Sequence, residues 1–153
     1  MVQQLLSRRW VDLKTGLASL DGGQYPGVYI LAYSPKNLGG KAIKLADIFY
    51  VGRSNALGGV KSRLREFLRG IENGKSHSAA IRFFKVYARG VPFSKLKRRN
   101  KFLVASISLP CAVAKTQRTP DDLRKMGLVA KLEYDVLAHI KDVRGREPKL
   151  NKQ

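Results

Sequence analysis

Acidic residues are scarce in this sequence. Eleven Asp and Glu residues stand against 30 Lys and Arg residues, which leaves a formal net charge of +19 on 153 residues. Such self-repulsion does not stabilise a soluble domain, so the imbalance indicates a polyanionic partner. Nucleic acid is the first candidate and an acidic membrane surface the second. Charge alone favours a nucleic-acid-binding protein without catalytic activity over any enzyme.

Cysteine and long apolar runs are also nearly missing. The single cysteine, Cys111, can form neither an internal disulfide nor a thiolate metal site by itself. The longest apolar stretch, residues 102–114, is too short to cross a membrane and is interrupted by Pro110. A Ser-Arg-Arg sequence follows Leu6, so the N-terminus has no hydrophobic signal segment. We therefore expect a cytoplasmic protein with no membrane partner, associated with the nucleoid if its source is bacterial.

Hydrophobic residues make up 44% of the chain, which is enough for one core in a domain of ordinary size. Apolar residues recur at helical spacing in some segments, while short runs rich in β-forming residues occupy others. Helices are predicted over residues 2–20, 59–72 and 78–88 and between Thr119 and Gly145, and strands over residues 28–33, 48–52 and 102–109. The pattern predicts a single α/β (α+β) domain, in which helices flank a small three-stranded, mainly antiparallel sheet. Residues 1–24 would be an N-terminal helical extension and residues 27–151 the core, with a long loop from Ser34 to Asp47.

Glu133 lies at an unusual position in the last helix. That helix begins with Thr119 as a cap and Pro120 at its first position. Its apolar stripe consists of Leu123, Met126, Ala130, Leu137 and Ile140. Glu133 falls at the same spacing, and a buried carboxylate is costly unless it is paired or binds a cation. Two explanations stay open: Glu133 lies at the edge of the stripe and meets an arginine, or it holds a hard cation such as Mg²⁺.

Two tyrosines lie on the predicted hairpin. Gly27-Val28-Tyr29 opens its first strand, and Tyr50-Val51-Gly52 ends its second. Adjacent strands can present both phenol groups on one face of the sheet, although ordinary cross-strand packing explains two aromatic residues equally well. Strand alternation predicts that Phe49 faces the core and that Tyr50 points to the opposite side.

Several short motifs of the sequence, taken in their order along the chain, resemble those of the GIY-YIG nuclease family. Gly27-Val28-Tyr29 and Tyr50-Val51-Gly52 resemble its two signature motifs, and Arg63 lies in a segment similar to the helix with the family arginine. The turn before His77 is similar to the place where some members have a histidine. The surroundings of Glu133 resemble the metal-binding helix, and Pro148-Lys149-Leu150-Asn151 resembles the closing motif. The resemblance spans residues 27–151.

The chain departs from the family pattern at two places. The loop from Ser34 to Asp47 separates the two signature motifs by more residues than the family's short hairpin does. Many restriction-type members have a histidine one turn after the arginine, where this chain has Phe67. His77 is therefore only a partial substitute for that histidine.

The resemblance implies that the chain is an endonuclease that hydrolyses DNA with one divalent metal ion, Mg²⁺ or Mn²⁺. Glu133 would hold the metal, Arg63 would stabilise charge on the phosphate, and Tyr29 would accept a proton from the attacking water. Tyr50 would position the water or the phosphate, His77 would complete the site, and Asn151 would orient a neighbour or contact the backbone.

Sequence-independent contacts to the DNA backbone are expected from basic residues outside this set. These are Arg53, Lys61, Arg65, Lys95, Lys97, Arg98, Arg99 and Lys101. A non-catalytic basic nucleic-acid-binding module remains the alternative function, since it explains the charge equally well. A homodimer on DNA also stays open, because a nuclease with one site per chain often needs two chains to cut both strands.

Overall fold

A computed structural model describes residues 1–73, 78–87, 91, 95 and 101–151 of the chain. Four strands form one antiparallel sheet in the order β1-β4-β2-β3. The strands are β1 (Val11–Asp12), β2 (Gly27–Ser34), β3 (Ile48–Ser54) and β4 (Lys101–Ser108). The helices are α1 (Val2–Leu6), α2 (Gly59–Asn73), α3 (Ser78–Tyr87) and α4 (Pro120–Arg144), with short 3-10 turns at Leu17–Ser19 and Leu45–Asp47. The predicted α+β class is confirmed, and the predicted hairpin is the β2–β3 pair.

Helices cover both faces of the sheet, so two core clusters lie back to back across it. One cluster packs β2 and β3 against α2 and α3, and its members include Tyr29, Leu31, Leu64, Phe67 and Phe83. The other packs the opposite face against α1 and α4, and its members include Val28, Ile30, Val51, Val129 and Val136. Covered faces explain why β2 is buried at successive positions instead of alternating between apolar and polar residues.

The N-terminal segment differs from its prediction. The helix expected over residues 2–20 ends at Leu6, and β1 then pairs with β4 as a fourth strand. The carboxylate of Asp12 accepts hydrogen bonds from the backbone N–H groups of Lys14 and Thr15, which turns the chain directly after β1. The predicted N-terminal helix is present but shorter than expected, and the sheet has four strands instead of three, because pairing at the sheet edge overrides the helical spacing after Leu6.

An extra residue in β3 places two consecutive aromatic side chains on one face. Leu31 pairs with Tyr50 and Ala32 pairs with Ile48, so Phe49 is the unpaired residue of a β-bulge. Phe49 and Tyr50 both lie in the core cluster beneath α2 and α3. Phe49 is buried as predicted, but the expectation that Tyr50 points to the opposite face is wrong, because the bulge interrupts the alternation.

Helix α4 begins and ends at the predicted caps but is rotated relative to its predicted stripe. Thr119 and Asp122 form a reciprocal capping box, and Gly145 ends the helix with a φ of 71°. Asp122 also accepts a hydrogen bond from the Ala112 N–H, which turns Asp122 inward and Leu123 outward. The buried apolar face consists of Val129, Leu132, Val136 and Ile140. Among the described helices, none is long and apolar enough to span a membrane.

Candidate active site

Tyr29 and Tyr50 lie next to each other on the α2 side of the hairpin. Tyr29 pairs with Gly52 across the two strands, and the ring centroids of the tyrosines are 6.2 Å apart. A Cβ atom on Gly52 would lie 2.7 Å from the Tyr29 hydroxyl oxygen and 2.7 Å from Cε1 of Tyr50. Glycine at this position therefore leaves the space that both rings occupy, and the prediction of two phenols on one face is confirmed.

The Tyr29 hydroxyl is fully buried, and no side chain among the described residues forms a well-aligned hydrogen bond with it, although the side chains of Arg63 and Tyr50 lie within hydrogen-bonding reach. Burial raises the pKa of Tyr29 far above its ordinary value of 10.0, and Tyr50 adds to the rise. The Arg63 guanidinium is near enough to oppose this rise in the pKa. A buried hydroxyl without a well-aligned partner costs up to about 1–3 kcal/mol, so packing alone does not account for the hydroxyl of Tyr29.

Tyr50 belongs to the same electrostatic environment but is slightly more accessible. Burial raises the pKa of Tyr50, Arg82 and Arg63 lower it, and Glu133 raises it. Arg63 and Glu133 influence the Tyr29 hydroxyl as well. Side chains from α2 and α4 therefore lie within electrostatic range of the two tyrosines on β2 and β3.

A shallow cavity opens beside this group, between the end of β3 and the start of α2. Its volume is about 240 Å³, and we call it the arginine cavity. The residues that line it are Arg53, Ser54, Asn55, Ala56, Arg63 and Glu66. Two arginines at one concave spot provide planar donors that suit an anionic group such as a phosphate.

Glu66 is a site residue that the sequence analysis missed. Nη1 of Arg63 donates a hydrogen bond of 2.8 Å to Oε2 of Glu66, and both side chains are partly exposed. Burial is the largest influence on Arg63 and lowers its pKa, but the hydrogen bond to Glu66 and the charges of Tyr29, Glu66 and Tyr50 together outweigh burial and raise the pKa of Arg63. The spacing of three positions on one helix was the available indication, since such residues are neighbours on the helix surface.

Glu133 lies at the edge of the buried face of α4 and contacts Arg53. Its side chain is 18% exposed, and its Oε2 lies 3.4 Å from Nε of Arg53. Burial raises the pKa of Glu133, and Arg53 lowers it without cancelling the effect of burial. This edge position with an arginine partner is the first of the two explanations that the sequence left open.

The turn after β3 is fixed to α4 by Asn55. The Asn55 side-chain amide donates a hydrogen bond of 3.2 Å to the carbonyl of Met126, and its carbonyl oxygen is buried without a partner in the described parts of the chain. Near the other end of β3, Arg144 of α4 donates to the carbonyl of Ile48 at 3.4 Å. Helix α4 therefore runs antiparallel to β3, which places Glu133 beside Arg53.

Asn151 contacts the outer edge of β3. Its side-chain oxygen accepts a hydrogen bond from the Val51 N–H, and its amide donates to the Val51 carbonyl, each at 2.7 Å. The Leu150 N–H donates to the carbonyl of Phe49 at 3.0 Å. Of the two roles expected for Asn151, contact with the backbone is the one observed, and this contact holds the edge strand that carries Tyr50 and Arg53.

The remaining candidates have varied surroundings. His77, Lys97, Arg98 and Arg99 lie outside the described residues. Arg65 and Lys95 are exposed, as expected for contacts to a nucleic-acid backbone. Lys61 donates through Nζ to the carbonyl of Ala18 at 2.8 Å, so its ammonium group already has a structural partner. Lys101 begins β4 opposite Ser34, at the far end of the sheet from Tyr29, where it lies 3.7 Å from the Asp12 carboxylate.

Few acidic side chains are available at this site as ligands for a metal ion. In the described ranges, no group of three or more His, Cys, Asp or Glu residues is placed to hold a metal ion. Glu133 could serve as a single half-buried carboxylate ligand. That arrangement fits Mg²⁺, which keeps several water ligands and takes few from the protein. Comparison with protein-family models, curated proteins and solved structures finds no match to this chain.

Proposed function

We propose that this chain is a DNA endonuclease that hydrolyses phosphodiester bonds with one divalent metal ion. One observation carries the proposal: Tyr29, Tyr50, Arg63 and Glu133 come from four elements, the two tyrosine rings are neighbours, and both Arg63 and Glu133 lie within electrostatic range of the two phenols. The same four positions carry the resemblance to the GIY-YIG family. General binding to DNA requires basic residues on a surface, but it does not require two buried phenols and a half-buried carboxylate beside them.

The arginine cavity is the proposed site of the scissile phosphate. Arg63 would donate to the phosphate oxygens and stabilise the negative charge that develops during hydrolysis. Glu66 acts as a positioning residue, because its 2.8 Å hydrogen bond restrains the guanidinium that would make these contacts. The high net charge also supports the proposal, because positive charge attracts the DNA backbone regardless of base sequence.

Glu133 is the residue proposed to hold the divalent ion, Mg²⁺ or Mn²⁺. Its side chain is shielded from water, and its pKa is raised by burial, so a nearby cation would stabilise its ionised form. When bound, a divalent ion supplies Lewis-acid stabilisation to the phosphate and to the leaving 3′ oxygen.

Tyr29 is the residue proposed to accept the proton of the attacking water. It can do so only as the phenolate, and burial raises its pKa in the direction that opposes ionisation. Positive charge at the site must therefore stabilise the phenolate, and Arg63 already acts in that direction. Tyr50 lies beside Tyr29 and would orient the water or the phosphate.

The alternative is a basic nucleic-acid-binding module without catalytic activity. The contact between Arg53 and Glu133 favours this alternative, because it gives the carboxylate a partner inside the protein. The net charge of +19 supports either function.

Nicking of supercoiled plasmid distinguishes the two functions. We expect the wild-type chain to nick plasmid with Mg²⁺ or Mn²⁺ but not with a chelator, and Glu133→Gln to bind DNA without nicking it. Asp135→Asn is the matched control, because Asp135 is an ion-paired carboxylate on the same helix that contacts Lys131 instead of the site. Metal-dependent nicking by folded Glu133→Gln at the wild-type rate would exclude the assigned role of Glu133. DNA binding by the wild-type chain without any nicking would favour the binding module.

A further inference from the structure

The contact between Arg53 and Glu133 is loose for a carboxylate in this environment. Its 3.4 Å distance exceeds both the 2.8 Å of the Arg63–Glu66 pair and the roughly 2.7–2.9 Å typical of charge-assisted hydrogen bonds. Glu133 is nevertheless the least exposed acidic side chain among the described ion pairs. The most desolvated of these carboxylates therefore has a weakly held partner, which a stronger cation or a competing anion can separate from it.

Arg53 belongs to two environments at once. Its Nε lies near Glu133, while the residue also lines the arginine cavity together with Arg63. The Arg53 side chain is 39% exposed, and a guanidinium has five N–H donors, of which the contact with Glu133 involves Nε. A phosphate in the arginine cavity would meet two arginines and could form paired hydrogen bonds with either guanidinium.

We propose that Arg53 is an exchangeable counterion for Glu133: it neutralises the carboxylate in the free protein, and it moves to a DNA phosphate that enters the arginine cavity. Its departure leaves Glu133 available to the divalent ion. The inference rests on the proposed function and adds to it an order of events, in which a phosphate prepares the metal site.

The exchange follows from local charge balance. While Arg53 is beside Glu133, a divalent cation meets one negative and one positive charge and gains little from the carboxylate. A phosphate that draws Arg53 away removes the repulsion and adds negative charge nearby. Binding of DNA and binding of metal must then strengthen each other by the same factor, which for coupled sites is typically about 5–150-fold.

The test measures Mn²⁺ affinity by electron paramagnetic resonance on the full chain, with and without a phosphorothioate DNA duplex that resists hydrolysis. For wild type, we expect the duplex to strengthen Mn²⁺ binding at least about 5-fold. For Arg53→Gln, we expect tight Mn²⁺ binding without DNA and little further gain from the duplex. Arg124→Gln is the matched control, because it removes the same charge from an exposed position on α4 and should bind Mn²⁺ as wild type does.

Two results would contradict the exchange, and they have different consequences. If Arg53→Gln binds Mn²⁺ as weakly as wild type does while Glu133→Gln binds it more weakly still, Glu133 is a metal ligand but Arg53 is not its counterion. If Glu133→Gln leaves Mn²⁺ binding unchanged with and without the duplex, Glu133 is not a metal ligand, and the proposed function fails together with the exchange. The exchange is supported if Arg53→Gln binds Mn²⁺ more tightly than wild type and this increase disappears when Glu133→Gln is added to the same chain.

Discussion

Glu133 illustrates how burial and charge compete at a single residue. Water reaches 18% of its side chain, and the raised pKa shows that Arg53 does not compensate fully for the lost hydration. A carboxyl group whose pKa is raised by folding stabilises the folded state only while it is protonated. Its contribution is therefore present at low pH and disappears as the pH rises through the raised pKa.

Glu133→Gln should consequently make the protein more stable near neutral pH. The gain in the free energy of unfolding should shrink as the pH falls below the ordinary glutamate pKa of 4.5, where the wild-type carboxyl is also neutral. Urea unfolding of both chains at neutral and acidic pH measures the difference. Asp135→Asn, at an ion-paired carboxylate on the same helix whose side chain is 41% exposed, should show no such gain. Equal stability of Glu133→Gln and wild type at both pH values would mean that the carboxylate carries no burial cost.

Tyr29 combines full burial with a hydroxyl that has no well-aligned partner among the described residues, so Tyr29→Phe should separate stability from activity. Removing the hydroxyl should change the free energy of unfolding by no more than about 1 kcal/mol, because the hydroxyl has only poorly aligned contacts with Arg63 and Tyr50 to lose. Single-turnover cleavage should fall by roughly 10²–10⁴-fold if the hydroxyl accepts the proton. The wild-type rate should increase with pH as the phenolate fraction grows, and the Tyr29→Phe rate should lack this increase.

Phe49→Leu is the control for Tyr29→Phe. Phe49 is buried in the same cluster and packs against Phe83, Tyr87 and Phe102. Its truncation should lower the melting temperature and leave the rate of the folded fraction nearly unchanged. Cleavage by Tyr29→Phe within a few-fold of wild type would show that the Tyr29 hydroxyl is not the proton acceptor, and that role would pass to another group such as His77.

Strand β3 is the element that organises the candidate site. Its regular pairing with β2 places Tyr50 on the same face as Tyr29, the bulge adds Phe49 to that face, Gly52 makes room for both tyrosine rings, and Arg53 reaches α4 from the other face. Asn151 satisfies the N–H and carbonyl of Val51 on the free edge. Edge strands with unpaired backbone groups are prone to pairing with other chains, so this contact also protects β3.

Gly52→Ala tests whether the close approach of the two tyrosines matters. The added methyl group would lie 2.7 Å from atoms of both rings, and such overpacking costs about 1–3 kcal/mol. We expect a lower free energy of unfolding together with reduced cleavage, because the rings must move. Gly127→Ala is the matched control in α4, where nothing lies within 4 Å, and it should stabilise the protein by about 0.5–1 kcal/mol. Wild-type stability in Gly52→Ala would mean that the rings can move apart without cost.

The elements that could be predicted from the sequence are those whose signals are local. The Thr119 cap and the terminal Gly145 of α4 lie within a residue of each helix end, and both were recognised from the sequence. Strand β1 could not be predicted, because its two residues form a strand only through pairing with β4, far along the chain. The rotation of α4 was missed for the same reason, since the Asp122 bond to Ala112 depends on the loop that precedes the helix.

The candidate site was predictable only in part, and the reason is again distance along the chain. Tyr29, Tyr50, Arg63 and Glu133 were identified from residue type and motif order, but their proximity depends on the fold. Glu66, Asn55 and the partnership of Arg53 with Glu133 follow from the packing of α2 and α4 around the end of β3. Only the spacing of Glu66 three positions after Arg63 was readable in the sequence, and Asn55 and the Arg53–Glu133 contact became visible only in three dimensions.

On the scale of the whole molecule, the proposed function assigns two separate contributions: the net charge of +19 would attract DNA, and the candidate site would act on one phosphate. Different substitutions should therefore affect DNA binding and DNA cleavage separately. Arg63→Ala removes a guanidinium from the arginine cavity and should lower the cleavage rate at saturating DNA by far more than Lys97→Ala or Arg99→Ala does. The two latter variants should instead weaken DNA binding, and each should reduce the slope of log affinity against log salt by about 1.

Measuring the DNA affinity and the cleavage rate of the same variants distinguishes general DNA binding from catalysis. Affinity is followed across a salt series, and the single-turnover rate is taken at DNA concentrations that saturate each variant. Loss of a general phosphate contact lowers the DNA affinity but leaves the single-turnover rate unchanged, because saturating DNA restores occupancy. Replacement of a residue that stabilises the transition state lowers the single-turnover rate even when every chain is bound to DNA. Equal rate losses at saturation for Arg63→Ala, Lys97→Ala and Arg99→Ala would mean that Arg63 is one basic residue among many, and that its position beside Tyr29 has no special role.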